Sequence, residues 1–334
     1  MSDEAIVKAS AGSVSTPDAW GPGLPALWRR LMDKRAVKAA RKRAALCRSR
    51  LAAEASAHLN AFLGSGARLG WPTGKDTIDI TVIVVIWNQP HFVLKCLRAL
   101  AAQTGPSIEV VLVDNGSAAP TQDLLARLDD FTILRNPDNE GFIRACNRAA
   151  RSARGRTLLF LNSDAFVWNG ALANALAVLD AGTDVGAVGG RVVLPSGRLQ
   201  EAGCVIRTDG TTSGRARGLA PDAPLAMRRD DVDYCSGAFL LTPRAVWERL
   251  GGFDEAFAPG YYEDADYCMR LREAGLRVVF EPTVVIDHVE NGSEVRDGEA
   301  SRISERNRAV FVTRYAGVLA ARDGDTASRP HRVI

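Results

Sequence analysis

The sequence predicts an α/β fold in which a mostly parallel central sheet is flanked by helices and preceded by a basic helical extension. From residue 78 onward, short runs of Val, Ile and Leu alternate with stretches of helical pattern, which is typical of βαβ units. These runs are apolar throughout, as expected for parallel strands that are buried on both faces. Ahead of them, residues 26–63 are rich in Ala, Leu, Arg and Lys with few helix breakers, which indicates a long helix.

Length and composition exclude several classes of protein. The 334 residues are 46% hydrophobic, 24% charged and 7% aromatic, which rules out a disordered, collagen-like or coiled-coil chain. No apolar run approaches the ~20 residues of a membrane-spanning helix. The first residues, with Asp3 and Glu4, lack the basic and apolar regions of a secretory signal peptide, so we expect a cytoplasmic protein. The six cysteines form no CxxC pair and are expected to be free thiols.

The formal net charge of +3 conceals a local concentration of positive charge. Between Arg29 and Arg50 there are ten Lys or Arg residues against one acid, Asp33. An apolar stripe lies beside them and contains Leu24, Leu27, Trp28, Leu31 and Met32. Such a helix can dock on the main domain, pair with another chain, lie on an anionic membrane surface at the inner face of the membrane, or stay solvated.

We divide the chain into three parts. Residues 1–75 comprise a flexible N-terminus, the basic helix and a Gly-rich linker at 64–75. Residues 76–295 form the α/β domain, and residues 296–334 form a C-terminal helix and tail.

The elements of the α/β domain follow from local pattern. Predicted strands occupy residues 81–87, 108–113, 132–134, 157–161 and 185–188. Pro90 suits the first turn of a helix after the first strand. A second helix carries an apolar stripe of Phe142, Ala145, Cys146, Ala149 and Ala150. After about residue 190 the pattern changes, with a strand at 236–242 and helices at 243–250 and 264–274.

Polar residues follow the first two strands, at the sheet edge where α/β proteins bind ligands. Asn88 follows the first strand without a GxGxxG pattern, which argues against a dinucleotide-binding oxidoreductase. Asp114 and Asn115 follow the second strand, where the carboxylate can accept hydrogen bonds from a base or ribose. Asp-Asn-Gly is also an ordinary turn, and this explanation is favoured for these residues taken alone.

A second group of acids lies farther along the chain. Asn162, Ser163 and Asp164 end an apolar strand, and Asp164 can bind Mg or Mn directly or cap a helix. Glu263 and Asp264 open a helix, where acids suit the helix dipole and where Asp264 can also act as a general base. Asp266, in the first turn of the same helix, is expected to interact favourably with the helix dipole. A histidine, His288, follows another apolar strand, and a lone histidine is usually structural.

Taken together, these motifs resemble the family-2 inverting glycosyltransferases with a GT-A fold, especially bacterial rhamnosyltransferase-like members. The resemblance covers about residues 80–293. Its motifs are VDNGS at 113–117, NEGF at 139–142 with Asn147 beyond, LNSDA at 161–165, SGAFLL at 236–241, GGFDEAF at 251–257 and EDADYCMR at 263–270.

The resemblance implies a role for each matched position. Asp164 belongs to a DxD-type motif that binds a divalent cation, Mg or Mn, with help from His288, and Asp264 is the catalytic base. Residues expected to contact the nucleotide or donor sugar are Asn88, Asp114, Asn115, Asn139, Gly141, Asn147, Asn162, Ser163, Gly237, Ala238 and Glu263. Asn162 replaces the first acid of DxD, so we expect weaker cation affinity. Ile143 and Arg144 replace the small residues of many relatives.

The function implied is transfer of a sugar from a nucleoside diphosphate sugar, UDP- or dTDP-linked, to an acceptor hydroxyl with inversion. The acceptor is expected to be a saccharide or a lipid-linked precursor, and no nucleic acid is expected as a partner. A sugar nucleotidyltransferase is disfavoured because no Gly-rich basic loop follows the first strand. The remaining alternative is a non-catalytic nucleotide-sugar-binding or scaffold protein on a decayed domain.

Overall fold

The computed structural model describes residues 26–72, 76–290 and 298–326. The predicted flexible N-terminus, the end of the linker, the C-terminal tail and the side chains of the apolar stripe lie outside the described part. Contacts divide the chain into two units, Met1–Leu46 and Cys47–Ile334. The helix α1 (Ala26–Gly64) begins in the first unit and continues into the second.

The first half of the large unit alternates strands and helices as predicted. Its elements are β1 (Leu69–Gly70), β2 (Ile80–Ile86), α2 (Pro90–Ala101), β3 (Ile108–Asn115), α3 (Ala119–Leu125), β4 (Leu128–Asp129), β5 (Thr132–Asn136), α4 (Phe142–Ala150), β6 (Thr157–Asn162), β7 (Ala165–Val167) and α5 (Ala171–Asp180). Strands β5, β3, β2 and β6 lie side by side in this order and are all parallel.

The second half contains more irregular connections. Its elements are β8 (Val185–Val193), β9 (Leu199–Ala202), β10 (Cys204–Ile206), β11 (Thr212–Gly214), β12 (Asp230–Asp231), β13 (Phe239–Pro243), α6 (Arg244–Leu250), α7 (Glu263–Glu273), β14 (Arg277–His288), α8 (Glu299–Arg314) and α9 (Ala316–Thr326), with 3₁₀ turns at Pro224–Ala226 and Glu255–Phe257. Strand β13 joins β6 to β8 and is antiparallel to both, whereas β8 and β14 are parallel. The sheet is therefore mixed rather than purely parallel.

Side chains of the central strands alternate between two apolar layers. Val82 and Val84 of β2 pack into the layer that contains α2 and α5, while Ile83 packs into the layer that contains α4, α6 and α7. The sheet is thus covered on both faces, which explains why its strands are apolar throughout. All six cysteines are free, as predicted, and all except the partly exposed Cys47 are buried.

The region predicted as extension and linker contributes to the core. Ala55, Leu59 and Phe62 of α1 are buried, and the buried Trp71 donates a hydrogen bond to the carbonyl of Ile108 at 2.9 Å. Strand β1 pairs with β4, so the linker contains a short strand. The compact unit therefore begins well before residue 76.

The strand predicted at 236–242 begins later, at Phe239. Before it, the backbone N of Gly237 donates to the side chain of Asp264 and the Ser236 hydroxyl donates to Glu201, as described below. At the other end of the chain, Phe311, Tyr315 and Leu319 of the C-terminal region are buried in the layer that contains α7. In the described part of the chain, every helix is too short or too polar to span a bilayer.

Candidate active site

The loops after β2 and β3 are held together at the carboxyl edge of the sheet. Asn88, in the left-handed conformation with φ of 60°, accepts a hydrogen bond from Ala118 N at 2.8 Å. Its own backbone N donates to Ser117 Oγ at 2.9 Å. The two predicted polar loops therefore form one surface, as the rule for parallel sheets leads us to expect.

Asp114 lies at the end of β3 and is only 2% exposed. Its Oδ1 accepts from Ser117 N at 3.0 Å, and its Oδ2 accepts from Gln122 Nε2 at 2.6 Å and from Arg135 Nη1 at 3.4 Å. A carboxylate has about four acceptor sites, so one remains for a ligand donor. Gln122 and Arg135 were not identified from the sequence.

The neighbouring asparagines link β3 to the NEGF motif. Asn115 Nδ2 donates to Asn139 Oδ1 at 2.9 Å and to the carbonyl of Gly141 at 3.2 Å, while Asn136 donates to Asn115 Oδ1. Gly141 has φ of 83°, and a Cβ atom there would lie 2.5 Å from Cβ of Pro259. Glycine is required at this position by both conformation and space.

The predicted cation ligands meet at the ends of β6 and β14. His288 Nε2 lies 3.2 Å from Asp164 Oδ1 and 3.3 Å from the side-chain amide of Asn162. Ser163, between Asn162 and Asp164 in the sequence, is partly exposed. His288 Nδ1 lies 2.8 Å from Gln200 Oε1, to which it can donate. Both Asp164 and His288 are buried, so their positions are fixed by packing as well as by these bonds.

Asp164, His288 and Asn162 can bind a hard divalent cation, but they would supply only part of its coordination shell. Two ligands at the usual Mg–O distance of about 2.1 Å and at right angles are about 3 Å apart, close to the observed Asp164–His288 separation. Within residues 26–72, 76–290 and 298–326, no group of three or more His, Cys, Asp or Glu side chains is arranged to hold a metal ion. Remaining ligands would have to come from Asn162, water and the substrate diphosphate, which is usual for Mg²⁺.

Burial alone would lower the pKa of His288, but the charge and hydrogen bond of Asp164 outweigh it and raise the pKa. Glu201 and Glu290 add to this effect. In its protonated form His288 donates to both Gln200 and Asp164. Asp164 therefore stabilises the protonated form of His288.

The predicted base is held at the start of α7 by two backbone donors. Gly237 N donates to Asp264 Oδ2 at 3.0 Å, and Ala265 N donates to Asp264 Oδ1 at 2.7 Å. The adjacent Ala238 accepts from Asn162 N at 3.3 Å, which places this carboxylate beside the loop of the cation ligands.

Glu263 and Asp264 differ in their protonation behaviour. Burial and then the negative charge of Asp264 raise the pKa of Glu263 well above its usual range. Burial also raises the pKa of Asp264, but the N–H groups of Gly237 and Ala265 oppose the shift. The two backbone N–H donors stabilise the charged form of Asp264, so Asp264 is the carboxylate placed to accept a proton. The buried Glu263 Oε2 has no hydrogen-bond partner among the described residues.

Two predicted residues have internal partners. Asn147 Nδ2 donates to the carbonyl of Phe253 at 2.8 Å, and its Oδ1 accepts from Phe253 N at 3.0 Å, so the amide holds a loop. Asp266 is fully buried and accepts hydrogen bonds from Arg270, Arg314 and Tyr315. It is an ion-pair centre rather than a simple helix-dipole partner.

Strand β9 supplies residues that the sequence analysis missed. Besides Gln200, it carries the buried Glu201, whose Oε1 accepts from Ser236 Oγ at 2.6 Å. Burial raises the pKa of Glu201, and the charge of Asp264 adds to the shift. No motif marks these residues, because their role depends on β9 pairing with the end of β8.

Comparison with known proteins shows which family this sequence resembles. Residues 81–238 match the family model described as "Glycosyl transferase family 2". The O-antigen biosynthesis protein RfbC of Myxococcus xanthus is 30% identical over 80% of this chain and 21% of its own length. The pre-mycofactocin glycosyltransferase of Mycobacterium tuberculosis is 28% identical over 76% of this chain and 50% of its own length. The chain thus spans half or less of these two curated relatives.

A third relative matches over most of its length. The N-acetylglucosaminyl-diphospho-decaprenol L-rhamnosyltransferase of Mycobacterium tuberculosis is 24% identical over 70% of this chain and 83% of its own length. Among solved structures, GalNAc-T7 with UDP, GalNAc and Mn2+ superposes with a TM-score of 0.53 and 15% identity, over 65% of this chain and 44% of that one. This likeness confirms the predicted GT-A type fold.

Proposed function

Because this chain belongs to glycosyl transferase family 2 through residues 81–238, we propose that it transfers a sugar from a nucleoside diphosphate sugar to an acceptor hydroxyl. The observation that carries this proposal is the pairing of a half-buried, oriented carboxylate, Asp264, with the Asp164–His288 pair on the adjoining loop. A general base and a site for a diphosphate-bound cation are the two parts that such a transfer needs.

The reaction we propose is a single displacement with inversion. The acceptor oxygen attacks the anomeric carbon and forms the new glycosidic bond, while the bond from that carbon to the diphosphate oxygen breaks. Asp264, which is oriented by the backbone N–H groups of Gly237 and Ala265, accepts the proton of the acceptor hydroxyl. Burial raises the pKa of the neighbouring Glu263, and in its protonated form Glu263 can donate a hydrogen bond to a sugar hydroxyl.

Asp164 and His288, with Asn162, would hold a divalent cation, Mg or Mn. When bound, such a cation neutralises negative charge on the leaving diphosphate. Gln200 keeps the His288 ring oriented so that Nε2 faces Asp164.

We propose UDP or dTDP as the carrier of the sugar. Uracil and thymine present a single ring N–H donor, which suits the single remaining acceptor site of Asp114, whereas guanine presents a ring N–H together with an amino group. The relatives named for O-antigen biosynthesis and for a diphospho-decaprenol rhamnosyltransferase favour a saccharide or lipid-linked acceptor.

Calorimetric titration of the full chain with UDP, dTDP, GDP and CMP, each with and without Mn²⁺, tests the donor site. We expect UDP or dTDP to bind in a metal-dependent manner, and the matching sugar nucleotide to be consumed when acceptor is added. Failure of all four nucleotides to bind would overturn the proposal. Binding without any transfer would favour the non-catalytic alternative.

We also propose that the basic part of α1 contacts an anionic membrane surface. Lys38, Arg41, Lys42 and Arg43 are all exposed on this helix, and each cation near such a surface adds about 1 kcal/mol of attraction. We expect co-sedimentation with phosphatidylglycerol vesicles, weakened in a variant with these four residues changed to Gln. Equal sedimentation of the two proteins would contradict the proposal, and neutral vesicles provide the control.

A further inference from the structure

The loop that precedes the proposed base connects the two sides of the site. It runs from Phe257, the end of a 3₁₀ turn, to Tyr262, directly before Glu263 and Asp264. The carbonyl of Pro259 in this loop accepts a hydrogen bond from Phe142 N at 2.8 Å. The loop, called here the base loop, therefore contacts the NEGF motif on one side and ends at the proposed base on the other.

The backbone of the base loop adopts a conformation that its own residues disfavour. Tyr261 and Tyr262 are consecutive non-glycine residues with φ of 71° and 73°. Bulky side chains are uncommon in the left-handed region, and such residues persist only where surrounding contacts hold them. Contacts from outside the base loop must therefore supply this support.

Helix α8, in the C-terminal region, provides those contacts through Asn307. The side chain of Asn307 has 0% exposure, and its Nδ2 lies 2.7 Å from the carbonyl oxygen of Phe257 and 2.8 Å from those of Gly260 and Tyr261. Its Oδ1 accepts from Arg306 Nε at 2.9 Å, which fixes the amide so that the NH₂ group faces the base loop. Arg306 also donates to the carbonyl of Ala258.

A second contact from the same region holds the helix that carries the base. Arg314 Nη1 and Tyr315 Oη donate to Asp266 Oδ1 at 2.6 and 2.9 Å. Asp266 lies two residues beyond Asp264 on α7. The C-terminal region is therefore bonded to the chain on both sides of the proposed base, although it lies beyond the residues that match the family model.

We propose that Asn307 is a positioning residue that holds Asp264 in its catalytic orientation through the base loop. This inference rests on the proposed function, because it assigns a purpose to the orientation of the proposed base. Its physical basis is that the NH₂ group of one buried amide lies within hydrogen-bond distance of three carbonyls of a loop whose conformation is otherwise disfavoured. Loss of the amide frees Tyr261 and Tyr262 to relax and moves Asp264 away from Gly237 N.

The test compares Asn307→Ala and Asn307→Asp with Thr313→Ala, a change at an exposed position of the same helix. Asn307→Asp keeps the size of the side chain and replaces the donors by an acceptor that repels the three carbonyls. We expect kcat to fall roughly 10²-fold in both Asn307 variants, as for a misplaced catalytic group. Because burial and the N–H of Gly237 together set the pKa of Asp264, release of the base loop should also shift the acid limb of kcat/KM.

Hydrogen exchange of the amides of residues 257–265 provides a measurement that does not depend on turnover. We expect faster exchange there in the Asn307 variants, with strands β2 and β3 unchanged, and wild-type behaviour in Thr313→Ala. Unchanged exchange in a folded Asn307 variant, or wild-type kcat and acid limb, would overturn the positioning role. A wild-type protein that transfers no sugar would instead overturn the proposed function.

Discussion

Replacing Asp264 with Asn is expected to reduce turnover by about 10² to 10⁴, the usual contribution of a general base. Asn has nearly the same shape as Asp but cannot accept the proton of the acceptor hydroxyl. It also turns an amide NH₂ toward one of the two backbone donors, Gly237 N or Ala265 N. The kinetic measurement is the initial rate of transfer with saturating donor. Calorimetry measures the affinity for the nucleoside diphosphate, which we expect to remain near the wild-type value.

The matched control is Glu263→Gln at the neighbouring position. If Glu263 is protonated in the active enzyme, Gln preserves its hydrogen-bonding pattern and most of the turnover. Because the pKa of Asp264 is raised by burial, wild-type activity should fall with decreasing pH at a higher pH than an exposed Asp would give. Full turnover in Asp264→Asn would remove this residue from the mechanism.

The sequence predicted those parts of the site that depend on local pattern and parallel strand order. Asp114 and Asn162 lie at the ends of apolar strands and Asp164 follows one, and parallel strands bring their carboxyl ends to one edge. Short-range rules also predicted α2 after Pro90 and α7 near Asp264. For these residues, position along the chain determines position in the sheet.

Other parts of the site depend on contacts between distant segments, which local pattern does not encode. Gln200 reaches His288 across 88 positions of the sequence, and Asn307 reaches Phe257 across 50. Asn147 matched a family motif, yet its amide is bonded to the backbone of Phe253. A polar residue in a motif can therefore stabilise the scaffold of a site without facing the ligand.

The N-terminal extension also shows that local sequence pattern does not predict which residues become part of the core. Its Gly-rich segment predicts a linker, but Trp71 in that segment is buried and β1 pairs with β4. Glycine and proline mark where regular structure stops, but they carry no information about whether a neighbouring aromatic side chain finds a pocket. The compact unit consequently includes residues that composition alone assigns to a connection.

Asp164→Ala is expected to abolish the metal dependence of nucleotide binding. Loss of residues that only support metal ligands costs about 10 to 100-fold in metal affinity, so loss of a direct carboxylate ligand should cost at least as much. The effect should be large here because Asn162 replaces the first acid of the DxD pattern, leaving Asp164 as the one carboxylate of the motif. Mn²⁺ binding followed by electron paramagnetic resonance measures it without acceptor or turnover.

The substitution Asn162→Asp tests the same reasoning in the opposite direction. The Asn162 side chain already lies 3.3 Å from His288 Nε2, so a carboxylate there would add a charged ligand to the cation. We expect tighter Mn²⁺ binding in this variant, whereas Ser163→Ala, at the partly exposed position between the two ligands, should leave it unchanged. If Asp164→Ala binds Mn²⁺ and nucleotide as the wild type does, the cation is held elsewhere. The Asp164–His288 pair would then be an internal ion pair that stabilises the edge of the sheet.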